Sequence, residues 1–243
     1  MTTPSYPELV AAVRREGEAI ITAAAHGLDL PVPTCGDWTM RDLLAHVASV
    51  YHRAGVVVAE RATDAVAWQQ PPPDMPDPVG YLTEALDELV HALAEADPDS
   101  PAWNWSGQSQ EAAFWARRMA HESAVHRYDA QRAHGVAQPI DDELAYDGMD
   151  ELIDLLVPRI IARDELTLPS HTYLFSALDD GAWALTLDAA GLHRVDALKQ
   201  PDVTVRGPAS ELLLAAYNRA EWSSLDVDGD DKALAVWSET FKF

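Results

Sequence analysis

Arg117-Arg118-Met119-Ala120-His121-Glu122-Ser123-Ala124-Val125-His126-Arg127-Tyr128-Asp129-Ala130 contains no glycine or proline and reads as the middle of a helix. Residues four apart on a helix share a face, with Cβ atoms about 5–6 Å apart. Glu122 and His126 therefore project side by side. One carboxylate and one imidazole are ligands for a borderline divalent cation, of which zinc is the usual one. His121 stands five residues from His126, about 500° of helix rotation, and points away from it. That spacing also excludes the metalloprotease His-Glu-x-x-His pattern, whose histidines stand four apart. A third ligand has to come from another part of the chain.

Working outward, the residues before this stretch divide into further helices. Leu9, Val13 and Ile20 recur at helical spacing from about 8 to 26, and Gly27, Pro31 and Pro33 stop that helix. Thr39 followed by Asp42 resembles a capping box, so a second helix starts there and runs to about Ala62. His46 falls about two turns into it, on the side that carries Leu43 and Val50, where a bundle-core metal site would need an inward imidazole. Its ordinary alternative is a buried, hydrogen-bonded core histidine, with Glu122 as a salt-bridged helix residue. No helix can cross the proline-rich run 70–78. Leu82, Leu86, Leu89 and Leu93 then stripe a third helix over about 81–96, and the helix that holds the opening stretch spans about 110–134 up to Gly135. A further helix is expected from Asp141 to about Ile161.

Beyond Asp164 the apolar period changes from 3.6 to 2. Strands are expected over 172–178 and 183–187, joined by an Asp179-Asp180-Gly181 turn, and again over 202–205. A helix rich in Leu212, Leu213 and Leu214 follows Gly207-Pro208 and ends near Arg219. A short strand near 225–230 and a last helix through Trp237 complete the chain. The expected fold class is α+β: a helical bundle over 1–163 and a small α/β domain over 164–243.

Composition bounds the partners. Lysine and arginine total 17 against 40 acidic residues in 243, a formal net charge of −23. Nucleic acid and anionic membrane both need a positive footprint, so neither is an expected partner. The single cysteine, Cys35, excludes internal disulfides and suits a reducing compartment. It lies in a turn-like Val32-Pro33-Thr34-Cys35-Gly36-Asp37 segment with no histidine nearby in sequence, which argues against a nucleophilic thiol. No basic-then-apolar leader opens the chain and no stretch reaches the ~18 apolar residues of a membrane span. A cytoplasmic protein, monomeric or homodimeric, is expected.

Asp37-Trp38-Thr39-Met40-Arg41-Asp42-Leu43-Leu44-Ala45-His46 and Arg118-Met119-Ala120-His121-Glu122-Ser123-Ala124-Val125-His126-Arg127-Tyr128-Asp129-Ala130 resemble the mycothiol-dependent maleylpyruvate isomerase family of actinobacteria. The stretch from Asp202 through Leu214, Asn218 and Arg219 to Gly229-Asp230 is similar to that family's second domain. The resemblance implies a DinB-like four-helix bundle joined to a small C-terminal α/β domain like that of sterol-carrier proteins. It implies zinc, or another divalent metal, held by His46, Glu122 and His126, with mycothiol as cosubstrate. It also implies a catalytic arginine near the end of the leucine-rich helix, for which Arg219 is the nearest match; the alternative there is a cation that complements the helix dipole. Arg118, four residues before Glu122, and Asp129, three after His126, are candidates to orient those ligands, or else members of surface ion pairs.

The expectation is an isomerase or thiol S-transferase in which a metal-activated thiolate attacks a small electrophile. A metal-dependent hydrolase without thiol, and a non-catalytic small-ligand-binding protein, are the competing readings.

Overall fold

The computed structural model describes residues 3–67, 75–178 and 181–243. Most of the proline-rich run and the Asp179-Asp180 pair of the expected turn lie outside the described residues.

Residues 4–140 form one compact unit. Helix α1 (Tyr6–Ala24) opens on a Ser5/Glu8 capping box that satisfies backbone N–H groups the first turn leaves free. The expected box at α2 (Met40–Ala59) is present: the Thr39 backbone donates to Asp42 Oδ2 at 2.8 Å and the Asp42 backbone to Thr39 Oγ1 at 3.4 Å. Helix α3 (Pro78–Glu95) uses Pro78 in its first turn, where the missing N–H costs nothing. Helix α4 (Ala112–Ala133) carries the opening stretch of the sequence. Helix α1 packs on α4 and α3, and α2 packs on α3 and α4, giving a four-helix arrangement. Its interior is filled by Leu9, Val13 and Ile20 of α1, Leu43, Leu44, Val47 and Tyr51 of α2, the leucine stripe of α3, and Trp115, Ala116 and Met119 of α4.

Two close approaches explain how tightly these helices sit. A Cβ on Gly17 would come within 2.6 Å of Leu86, and one on Gly55 within 3.4 Å of the Leu89 backbone. A buried clasp ties α1 to α4. Arg127 Nε donates to Glu16 Oε2 at 2.7 Å, and its other nitrogens donate to Gln131 Oε1 and to the carbonyls of Gln138 and Pro139.

Residues 141–243 belong to the second compact unit. The change of period near 164 places the division about twenty residues too late. Helix α5 (Asp142–Glu151) packs against α7, and α6 (Val157–Asp164) against β3, so both belong with the sheet. Between them Leu152–Leu156 form a π-helical turn just before Pro158, a residue that cannot donate the regular helical hydrogen bond. Helical period identifies such a helix but not the surface that it covers, which is why the sequence assigns it to the bundle.

The sheet has five strands in the order β3-β2-β1-β4-β5. They are β1 (His171–Ala177), β2 (Ala182–Asp188), β3 (Gly191–Arg194), β4 (Val203–Gly207) and β5 (Asp226–Gly229). Among the described residues only the β1–β4 pair is parallel, with Tyr173 opposite Val203. On one face Tyr173, Phe175, Trp183, Leu185 and Val205 are buried. Helices α7 (Ala209–Ala216) and α8 (Asp231–Thr240) contact β1 and β4, and Trp237 of α8 meets Tyr173 and Phe175 edge to face. Strand β3 was not expected from sequence; at four residues it is too short to show a period. The fold is thus a helical N-terminal region followed by a small mixed-sheet domain. Among the described residues no helix is long and apolar enough to cross a membrane.

Candidate metal centre

Helices α2 and α4 bring His46, Glu122 and His126 together. His46 Nε2 lies 3.2 Å from Glu122 Oε1, and His126 Nε2 lies 3.3 Å from the same oxygen. The two imidazole rings stand 5.0 Å apart, edge to face, and each residue offers a donor atom within 4.8 Å of the others'. The i, i+4 spacing fixes the Glu122–His126 pair on α4. His46 reaches it because Leu43, Leu44 and Val47 bury the neighbouring face of α2.

The second atoms of these groups are held too. Arg118 Nη2 donates to Glu122 Oε2 at 2.7 Å, leaving Oε1 to face the histidines. His126 Nδ1 lies 2.9 Å from Asp129 Oδ2, within a pocket where Asp129 is fully buried. Burial pushes the Glu122 carboxyl upward, but the charges of His126 and Arg118 and the bonds from both histidines outweigh it and hold it well below the usual carboxylate range. Burial likewise pushes the His126 imidazole down, while Glu122, Asp129 and Cys35 hold it well above its ordinary value.

These residues fit a divalent cation. An Nδ1–H directed at Asp129 leaves His126 Nε2 facing a carboxylate oxygen at 3.3 Å. Two electron-rich atoms at that distance require positive charge between them, supplied by a proton or by a metal ion. A tetrahedral ion with ligand bonds of about 2.0–2.1 Å separates its ligand atoms by roughly 3.3–3.4 Å. The observed separations of 3.2 and 3.3 Å match it. Three donors of this kind leave a coordination position for an outside ligand.

The surrounding residues divide. Trp38 lies beside the centre, its ring 5.0 Å from that of His46. Trp103 instead accepts a cation–π contact from Arg53, 5.4 Å from its centroid, and its carbonyl accepts from Trp115. His121 is buried and outside the cluster, as the five-residue spacing requires. Arg219 belongs to the second compact unit. It is buried, follows the left-handed Asn218 past the end of α7, and donates to the carbonyls of Tyr217 and Phe243, both at 2.9 Å. The bond to Tyr217 is one that a cation at a helix C-terminus makes, whereas Phe243 lies outside that helix.

Sequence reasoning missed one participant. Cys35 reads as a turn residue, yet its Sγ lies 3.4 Å from Asp129 Oδ2, the oxygen that His126 uses. The two residues are 94 positions apart, and no local pattern connects them.

A four-helix unit with a two-histidine, one-carboxylate cluster, followed by a small mixed-sheet unit, defines a class of two-domain proteins with a candidate metal centre in the bundle. Residues 8–131 match the mycothiol maleylpyruvate isomerase N-terminal domain, and residues 143–235 match the C-terminal domain of the same family. The chain belongs to the mycothiol maleylpyruvate isomerase family. Its fold is similar to that of the mycothiol-dependent maleylpyruvate isomerase, at 14% identity and a TM-score of 0.66, covering 94% of this chain and 96% of that one. A histidine-to-alanine variant of that isomerase matches at 12% identity and a TM-score of 0.67, with the same coverage. No curated protein matches.

Proposed function

We propose that the protein is a metal-dependent, mycothiol-using enzyme in which His46, Glu122 and His126 hold zinc or a similar divalent cation and the substrate is a small electrophile. One observation supports this most: two imidazole nitrogens converge on one carboxylate oxygen at 3.2 and 3.3 Å. Membership of the family supports mycothiol as the thiol and an isomerase class of reaction.

A cation in this position favours the deprotonated form of a thiol placed beside it. The chain's own residues prepare that position. Two neutral imidazoles and one carboxylate leave a divalent cation with net positive charge, which attracts an anionic sulfur. Arg118 holds the second Glu122 oxygen, and Trp38 sets an apolar ring beside His46.

With the sulfur as its thiolate, the isomerase chemistry needs no protein nucleophile. The thiolate adds to one carbon of the cis double bond of a conjugated diacid such as maleylpyruvate. The displaced electron pair moves into the adjoining carbonyl, and the former double bond becomes free to rotate. Return of that pair expels the same thiolate and leaves the trans alkene, so nothing is consumed. A thiol S-transferase would share the first step and keep the sulfur in its product. The catalytic role expected of Arg219 stands as a proposal of the resemblance alone; its observed bonds are to the carbonyls of Tyr217 and Phe243.

The test is direct. Purified protein should carry about one zinc per chain, and conversion of maleylpyruvate should require added thiol. Turnover without thiol would instead indicate hydrolysis by metal-activated water. Bound metal with no turnover across thiols and electrophiles would indicate a non-catalytic binding protein.

A further inference from the structure

We propose that Asp129 is the positioning residue of this centre, holding His126 with its Nδ1 proton turned inward and its Nε2 lone pair turned toward Glu122 and His46, and that the Cys35 thiol locks Asp129 in place. The inference rests on the metal reading above and adds two residues to it.

Asp129 is fully buried, three residues after His126 on α4. A buried carboxylate costs several kcal/mol unless donors satisfy it. Two donors meet at its Oδ2: His126 Nδ1 at 2.9 Å and Cys35 Sγ at 3.4 Å. A neutral imidazole has one proton for two nitrogens, and the hydrogen bond made by one nitrogen decides the state of the other. With the proton drawn to Asp129, Nε2 is the nitrogen left able to bind a cation. That atom already faces Glu122 Oε1. Without Asp129 the proton could sit on Nε2, and α4 would then direct an N–H at the place a cation must occupy.

Cys35 acts one step further out. It comes from the loop before α2, the helix that supplies His46, and its thiol reaches across to the carboxylate that orients His126. The contact therefore connects the loop that leads into α2 to α4, close to the ligands themselves.

The same atoms offer a competing arrangement. Cys35, His126 and Asp129 also place donor atoms within 4.8 Å of one another. A cation there would take the Cys35 thiolate and His126 Nδ1, and Asp129 would be a ligand rather than a positioning group. The two arrangements use opposite nitrogens of one ring, which makes them separable.

The experiment measures zinc affinity by chelator competition for wild type, Asp129→Asn, Asp129→Ala and Cys35→Ala, each checked for folding by circular dichroism. Asp129→Asn retains an acceptor for Nδ1–H but loses the charge; Asp129→Ala loses both. The expected order is a modest loss for Cys35→Ala, a larger one for Asp129→Asn, and a loss of about 10–100-fold for Asp129→Ala. If the alanine variant does not fold, the isosteric asparagine variant carries the test. Nitrogen-15 spectra of histidine-labelled, zinc-loaded wild type should show His126 coordinated through Nε2 with a proton on Nδ1. Cobalt-loaded protein should lack a thiolate-to-metal charge-transfer band. Unchanged zinc affinity in the folded Asp129 variants would overturn the proposal. So would coordination through Nδ1, or a thiolate band that disappears in Cys35→Ala. Failure of wild type to bind zinc at all would overturn the metal reading and, with it, this proposal; tight wild-type binding with indifferent variants overturns the positioning role alone.

Discussion

Replacing Arg127 by alanine tests the clasp that joins α1 to α4 and shapes the helix carrying Glu122 and His126. Both Arg127 and Glu16 are buried, with relative exposures of 4% and 5%. The guanidinium donates to Glu16 Oε2 at 2.7 Å, to Gln131 Oε1 at 3.0 Å, to the Gln138 carbonyl at 2.5 Å and to the Pro139 carbonyl at 3.0 Å. Breaking a buried ion pair by removing one partner costs about 3–5 kcal/mol, because the remaining charge stays out of water. Glu16 retains one cation, Arg15, at 2.9 Å, which draws the figure toward the lower half of that range. The two loop carbonyls lose their donor and add to it, since each can regain only a water. A loss of about 4 kcal/mol results, equivalent to a fall of roughly 8–16 °C in Tm for a unit of this size. Far-ultraviolet circular dichroism during thermal and urea unfolding measures it. The double variant Arg127→Met with Glu16→Leu should recover much of the loss, because an apolar pair leaves no charge uncompensated. A fall of less than about 1 kcal/mol in Arg127→Ala would refute the reasoning, since that is the range of an exposed pair.

Three further outcomes follow from other parts of the chain. Thr39→Ala, which removes half of the α2 capping box, should cost about 1 kcal/mol, measured by urea unfolding. Asp42 titrates below its ordinary carboxyl value because the Thr39 hydroxyl and backbone N–H donate to it. Its contribution is therefore present above the unfolded-state carboxyl pKa and lost as the pH falls through the lowered folded value. The stability gap between wild type and Asp42→Asn should be full near neutrality and close in acid; a gap that widened in acid would contradict the assignment. In the sheet unit, Gly229 has φ +120°, and a Cβ there would meet the Asp202 carbonyl oxygen at 2.2 Å. Gly229→Ala should cost about 3 kcal/mol in unfolding experiments, from the backbone conformation and the clash together.

What the sequence made legible was whatever depends on near neighbours. The Glu122–His126 pair is a consequence of helical spacing, the Thr39/Asp42 box of a three-residue offset, and the strands after 170 of a two-residue period. Contacts between distant positions were a different matter. His46 meets the α4 pair across 76 residues; its place on the inward side of the second helix offered it as a ligand, and the family resemblance, not a spacing to the pair, joined the three. Cys35 meets Asp129 across 94 residues, and nothing around it in sequence points to that carboxylate. The helix from Asp142 was legible as a helix, but its partners α7 and β3 decide which unit it joins, and those lie far along the chain. Arg219 shows the same limit for a single residue. Its position after a leucine-rich helix suggested either catalysis or a helix-end cation, and no local pattern announces its bond to Phe243, 24 residues on.

Anomalous diffraction at the zinc edge, from crystals of zinc-loaded protein, locates the cation. The account places one peak within bonding distance of His46 Nε2, Glu122 Oε1 and His126 Nε2, about 2.0–2.2 Å from each. A peak on the Cys35 and Asp129 side of the His126 ring, or no peak between α2 and α4, would contradict it.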